Sequence, residues 1–368
     1  MRRVEPIGFD ARRAAELISG SGLSGILVGS PENVYYTTGL PVLPCFENPI
    51  LYALRNQLPY LAFVDDNGKV TLFTWFGVTL GVDFSSELVT YADLAGAKDE
   101  ITSFFRRISG KVAVDYGVPS YVLGIMQAQG LQIEDGDKLM LRLRLVKNEM
   151  EIELLRRSAE ISEKVISELI SYARIGMSRE ELIREAKLRI LSNGGDSIDH
   201  ITVAFGASNP EILLDERLQP EQLVTLDIGS VYRGYVSDLR KYFYSGKEVP
   251  EKYSSLYEKL LGIINRLADD IRPGASFSEI YERAASYYVE NGLEPLFASA
   301  GHSIGLVTEE AHISPTSDLK FEENMVINIE LYAPTDDGIM IGDEETYLVK
   351  GSGKEKISKL EPKIYTLY

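Results

Sequence analysis

The segment RIGMSREELI (174–183) returns, altered but in register, as RPGASFSEIY (272–281). Arg174, Gly176, Ser178 and Glu181 match Arg272, Gly274, Ser276 and Glu279 at one offset, and Asn193-Gly194 keeps that offset to Asn291-Gly292. Ser178 with Glu181 forms a capping box: the hydroxyl accepts from one free backbone N–H at a helix start and the carboxylate from another. Each copy reads as a helix, a glycine break, a capped second helix, an Asn-Gly stop and then strands. A G-x-S-x-x-E alone is a common helix start, but six matches at one offset point to duplication. A two-fold repeat of this kind sets its equivalent hairpins face to face.

Working outward, NEMEIELLRRSAEISEKVISELISYARI, which begins at Asn148, spaces Ile152, Leu155, Ala159, Val165, Ile166, Leu169 and Ile170 as one helical stripe. The earlier chain has a different character. Residues 10–20 read as a short helix, GILVG (25–29) and KVAVDYG (111–117) as strands, and LAFVDDNGKVTLFTW (61–75) as a hairpin turning at Asp66-Asn67-Gly68. The chain therefore divides into a small α/β domain, 1–135, and a larger repeat-bearing domain, 140–368. Its length suits two domains.

Composition narrows the function classes. The formal net charge is −17, from 38 basic and 55 acidic residues, and such a surface repels nucleic-acid backbones. Cys45 is the only cysteine, which rules out an intrachain disulfide and fits a reducing, cytoplasmic compartment. The N-terminal MRRVEPIGFDARRAAEL lacks an apolar core for a signal peptide, and no stretch is long and apolar enough to span a bilayer. No membrane partner is expected.

Two hairpins carry unusual acids. In LVTLDIGSVYRGYVSDLRKYFYSG (223–246), turning at Arg233-Gly234, the positions of Asp227 and Asp238 sum to an odd number. With a loop of two or four residues, that parity sends both side chains to one face. Two aspartates there repel unless a cation lies between them. In MVINIELYAPTDDGIMIGDEETYLVKGSG (325–353), Glu330 lies within an apolar run, where an unpartnered carboxylate is costly. The parity of Glu330 and Glu344 requires a bulge, whereas Glu345 meets it directly, so the pattern leaves both open. Between the hairpins lies GHSIG (301–305), with His302 among glycines. Four acids and one imidazole suit two divalent ions such as Mn²⁺, Co²⁺, Zn²⁺ or Fe²⁺. Such a pair would bridge a water, lower its pKa and polarise a carbonyl, which is the chemistry of amide or ester hydrolysis.

LDIG, YVSDL, GHSIG, VINIE and EETYLV, in that order, resemble the metallopeptidase clan of prolidase, aminopeptidase P and methionine aminopeptidase. SPENVYYTTGL (30–40) resembles a segment of the creatinase/prolidase N-terminal domain, and LRLVKNEMEIELLRRSAEI (143–161) the entry to the catalytic domain. The resemblance covers essentially the whole chain. It implies an N-terminal creatinase-like α/β domain followed by a pita-bread domain with pseudo-two-fold symmetry, and commonly a homodimer. It implies Asp227, Asp238, His302, Glu330 and Glu344 as metal ligands, with Asp238 and Glu344 bridging two ions, Asp227 holding one and His302 with Glu330 the other, and it prefers Glu344 to Glu345. The implied activity is metal-dependent hydrolysis of short peptides with proline in second position, by a proline dipeptidase or Xaa-Pro aminopeptidase using a metal-bridged hydroxide. The alternative is a pita-bread binding protein that keeps the fold or the metal site without turnover.

The sequence departs from the family around that site. Glu309 stands where the family has a second histidine, and His312 where it has proline. A further family histidine falls at Leu213 or Leu214, and an arginine two residues before the last glutamate is Gly342. The family's hydroxyl residue and arginine after the second aspartate are Arg240 and Lys241. Glu309 is the candidate proton carrier in place of histidine, with His200 or His312 as spatial substitutes. The plainer reading makes Glu309 and Glu310 loop carboxylates in solvent.

Overall fold

The computed structural model describes residues 2–209, 212 and 215–367; Leu213 and Leu214, at the family's histidine position, lie outside the described residues. The chain divides into two compact units, 1–144 and 145–368.

The first unit is built on a mixed six-stranded sheet, in the order Glu87–Tyr91, Val70–Trp75, Leu61–Asp65, Gly25–Val28, Lys111–Val114, Gln132–Asp135. Helices Leu94–Phe105 and Ser120–Ala128 cover it through Ile101, Phe105, Val122 and Met126, all fully buried. The family-like segment at 30–40 is a structural clamp. Asp115 accepts from the Gly29 and Ser30 amides and from Asn33 Nδ2, while Arg144 Nη1 donates to Asn33 Oδ1 at 2.8 Å. Tyr36 Oη donates to the Leu143 carbonyl, so the last helix of this unit, Asp137–Leu145, is tied to its start.

The second unit shows the repeat. Helices Glu149–Tyr172 and Arg179–Ser192 belong to one half, Glu251–Asp270 and Phe277–Glu290 to the other. Glu149–Tyr172 begins with a reciprocal cap, in which the Asn148 side chain accepts from the Glu151 amide and the Glu151 carboxylate accepts from the Asn148 amide. The helices at Arg179 and Phe277 begin with the same device, made by Ser178/Glu181 and Ser276/Glu279. The buried stripe Ile161, Val165, Ile166 and Leu169 packs with Val224, Leu226 and Ile228 into one core, so burial rather than propensity holds the long helix.

In the first half, strand Leu223–Tyr232 pairs with Ser197–Phe205 on one side and with Tyr235–Val236 and Leu239–Tyr244 on the other. The turn uses Arg233 (φ 49°) and Gly234 (φ 86°), the two left-handed residues of a type I′ turn. In the second half, Val326–Pro334 pairs with His302–Ser303 and with Met340–Lys350. Lys241 Nζ joins the halves, reaching Asp343 Oδ1 at 2.6 Å and Glu345 Oε1 at 3.2 Å in a fully buried cluster. The architecture is α/β, a first unit on a mixed sheet and a second unit of two repeated helix-and-sheet halves.

Candidate metal centre

Register delivers the acids. In the first hairpin Asp227 lies directly opposite Arg240. Asp238 sits in the break between strands Tyr235–Val236 and Leu239–Tyr244, on the face of Asp227 as parity predicts. In the second hairpin Glu330 lies directly opposite Glu344, and no bulge is needed. The parity expectation fails here because the connection, residues 335–339, has odd length. Glu345 opposes Ile329 and points to the other face, where Lys241, Lys356 and Ser358 hold it.

His302 reaches the same place through a close backbone approach. A Cβ at Gly301 (φ 133°) would stand 2.1 Å from the Asn328 carbonyl oxygen, so only glycine lets His302 pair opposite Asn328. His302 Nε2 is 3.5 Å from both Asp238 Oδ2 and Glu344 Oε1, beyond a good hydrogen bond. That nitrogen is buried and makes no hydrogen bond. Asn328 Nδ2 donates to Glu344 Oε1 at 2.8 Å, orienting that acid, and to the main-chain carbonyl of Asp238 at 3.1 Å.

The structure adds two side chains that the family pattern does not supply. His200 lies opposite Gly229 of the LDIG strand, and a Cβ on Gly229 would come within 2.5 Å of its Nδ1. His200 Nε2 lies 3.2 Å from Asp227 Oδ1 and 3.1 Å from Asp238 Oδ1, and Nδ1 lies 2.8 Å from Asp199 Oδ2. The sequence had offered His200 only as a spatial substitute; the glycine within LDIG was the available signal for a close neighbour. Arg240 reaches Asp227 Oδ2 from Nη2 at 2.6 Å and from Nε at 3.1 Å, and Glu330 Oε1 from Nη1 at 2.6 Å.

Crowding sets the electrostatics. Burial, with Asp238 beside it, pushes Glu344 up to about 7. Burial likewise pushes Glu330 up to about 7, against the pull of Arg240. Burial raises Asp238. Asp227 goes the other way: burial opposes ionisation, but Arg240 and His200 hold it well below the usual carboxylate range. Burial would lower His302, but Glu344 and Asp238 lift it to about 9. His200 is held far above the ordinary imidazole range, its burial outweighed by Asp199, Asp227 and Asp238.

The donors fit a divalent cation on one side. Asp238, His302 and Glu344 place one ligand atom each at metal-binding spacing, and the His302 nitrogen among them is buried and makes no hydrogen bond. His200, Asp227 and Asp238 have similar spacing, but there both ring nitrogens already make hydrogen bonds, with Asp199 and Asp227.

Beside these residues lies a cleft of about 790 Å³, lined by Thr202, Arg240, Glu309, Glu330 and Tyr332 among others. Glu309 is 55% exposed, with His312 Nε2 3.6 Å from its carboxylate. Glu310 corrects the solvent reading: it is buried, 2.8 Å from the equally buried Lys147 Nζ. No helix among the described residues is long and apolar enough to cross a membrane.

Comparison with known proteins places these features. Residues 153–351 match Metallopeptidase family M24, and residues 11–146 match the Creatinase/Prolidase N-terminal domain. The Xaa-Pro dipeptidase of Pyrococcus horikoshii is 27% identical over 233 residues, spanning 61% of this chain and 66% of that protein. An uncharacterised peptidase of Staphylococcus saprophyticus is 26% identical over 350 residues, spanning 91% of this chain and 94% of its own. The fold matches the crystal structure of the prolidase from Pyrococcus horikoshii OT3 at TM-score 0.80, with 20% identity, 95% of this chain covered and 98% of that one. It matches an Xaa-Pro dipeptidase from Bacillus anthracis at TM-score 0.82, with 22% identity, 97% of this chain covered and 98% of that one. With the family match spanning more than half its length, this chain belongs to metallopeptidase family M24 and is an enzyme of the peptidase class, a pita-bread catalytic unit preceded by a creatinase/prolidase-type domain.

Proposed function

We propose that this enzyme hydrolyses short peptides with proline in second position, as a proline dipeptidase or Xaa-Pro aminopeptidase. The observation that carries the reading is the convergence of Asp238, His302 and Glu344, with a buried imidazole nitrogen that makes no hydrogen bond, beside a cleft large enough for a short peptide. The relatives named Xaa-Pro dipeptidase support the substrate class.

A divalent cation, Mn²⁺, Co²⁺, Zn²⁺ or Fe²⁺, would supply an activated water and polarise the scissile carbonyl. Asp238, His302 and Glu344 would hold it. Asn328 fixes Glu344, so that ligand keeps its orientation. Arg240 holds Asp227 from the opposite strand and Glu330 across the two halves. Glu309 carries protons between the cleft and solvent. It is the carboxylate on the cleft wall outside the cluster around Arg240, and it stands where the family has histidine. Assembly as a homodimer, which the family resemblance implies, and a cytoplasmic location, which the single cysteine favours, belong to this proposal.

The test is hydrolysis of an Xaa-Pro dipeptide and an Xaa-Pro-Yaa tripeptide by metal-stripped protein refilled with Mn²⁺ or Co²⁺, with Asp238→Asn beside it. Turnover that needs metal and is lost in the variant supports the reading, and the preferred length names the type. Folded, metal-loaded protein that turns over no faster than the variant sinks it, and the binding-protein alternative then stands.

A further inference from the structure

The five-residue pattern implies two ions, but its two sides are not equivalent here. On one side both Asp227 oxygens are taken, Oδ1 by His200 Nε2 at 3.2 Å and Oδ2 by Arg240 at 2.6 Å. The same guanidinium reaches across to Glu330 Oε1 at 2.6 Å, the acid that the resemblance sets beside His302, and so leaves that side with Asp238, His302 and Glu344. Arg240 is built into this position. It is the register partner of Asp227, so the strand itself brings the guanidinium to the acids, and its Cζ lies 5.8 Å from the Tyr332 ring centroid. The resembling family has a small hydroxyl residue at this place. A dication on the Asp227 side would meet this fixed positive charge in a partly buried site, where like charges repel strongly.

The other side keeps a donor without a hydrogen bond, although Asp238 Oδ1 faces His200 Nε2 at 3.1 Å and Glu344 Oε1 accepts from Asn328 Nδ2 at 2.8 Å. His302 is 2% exposed, and its Nε2 makes no hydrogen bond. Its separations of 3.5 Å from Asp238 Oδ2 and Glu344 Oε1 are long for hydrogen bonds. They match the spacing of about 3.4 Å between ligands of a tetrahedral ion with bonds of about 2.1 Å.

We propose that the centre takes one divalent cation, at Asp238, His302 and Glu344, and that the Arg240 guanidinium replaces the second. This rests on the metallopeptidase reading only in that a cation binds. It makes Arg240 a positioning residue, which neutralises Asp227 and Glu330 without touching the reacting atoms.

The test counts metal and does not depend on turnover. Full-length protein is stripped, dialysed to equilibrium against excess Mn²⁺ and separately Co²⁺, and assayed for bound metal by mass spectrometry, with circular dichroism to confirm the fold. One ion per wild-type chain, none in His302→Ala and two in Arg240→Thr is the expected result. Two ions per wild-type chain would overturn the proposal and leave Arg240 merely bracing Asp227. No bound ion, or an ion retained by His302→Ala, would overturn it as well. Should Arg240→Thr not fold, the wild type and His302→Ala still decide. An inactive protein holding one ion would sink the hydrolysis reading alone, and an active protein holding two would sink this one alone.

Discussion

Arg240 lies directly across the first hairpin from Asp227, and its Nη2 rests 2.6 Å from Asp227 Oδ2 while its Nη1 rests 2.6 Å from Glu330 Oε1 in the other half of the repeat. One side chain thus braces both hairpins. Arg240→Ala leaves two acids without this partner. Breaking a buried pair costs roughly 3–5 kcal/mol, and the 22% exposure of the Arg240 side chain puts the expected loss at the low end. Thermal unfolding of the chelated variant against chelated wild type checks it, and an unchanged Tm would show the bracing to be unimportant.

Glu344 and Glu345 are neighbours with opposite duties. Glu344→Gln is expected to abolish tight metal binding, since that carboxylate faces His302. Glu345→Gln is expected to keep metal binding but to cost on the order of 3 kcal/mol, since Glu345 is wholly buried against Lys241. Metal titration and denaturant unfolding of both variants separate the two. Loss of metal from Glu345→Gln would refute the assignment.

Lys147 and Glu310 form a pair with side chains only 1% exposed. Lys147→Met alone leaves a buried carboxylate and is expected to cost roughly 3–5 kcal/mol, while the double variant Lys147→Met/Glu310→Leu recovers most of that. A double-mutant cycle on stability gives the answer, and additive losses would contradict it.

The metal-free protein is expected to lose stability as pH rises from about 4.5 towards about 7. Glu330 and Glu344 are raised from 4.5 to about 7 in the fold, so the native state binds protons that the unfolded chain releases. Their contribution is complete below 4.5 and is lost as pH passes through the folded value. Bound cation reverses the trend, because it needs the ionised ligands. Tm measured across this range with chelator and with Mn²⁺ should show opposite slopes; parallel curves would count against a cation at Glu344.

Glu309→Gln is expected to lower kcat by about 10²-fold, the low end for loss of a proton carrier, with metal content unchanged. Steady-state kinetics with metal analysis checks this. A change of less than threefold would return Glu309 to a solvated loop carboxylate, as its 55% exposure also permits.

Much of this protein was readable in the chain alone because the signals were local or periodic. The capped repeat at Ser178 and Ser276 specifies the duplicated halves, since a capping box is satisfied within one turn. Strand alternation put Asp227 and Asp238 on one face, because side chains alternate with period two. The same rule misjudged Glu330 and Glu344, since parity depends on loop length and the connection at 335–339 is odd. Three features belong to the tertiary structure alone. His200 reaches the acids because the strand Ser197–Phe205 pairs beside Leu223–Tyr232. Glu310 is buried because Lys147, distant in sequence, covers it. Arg240 joins Asp227 to Glu330 because the two halves fold face to face. A sequence names the charged groups of such a site, but which of them meet, and so which still need a cation, is settled only when distant strands pack together and exclude water.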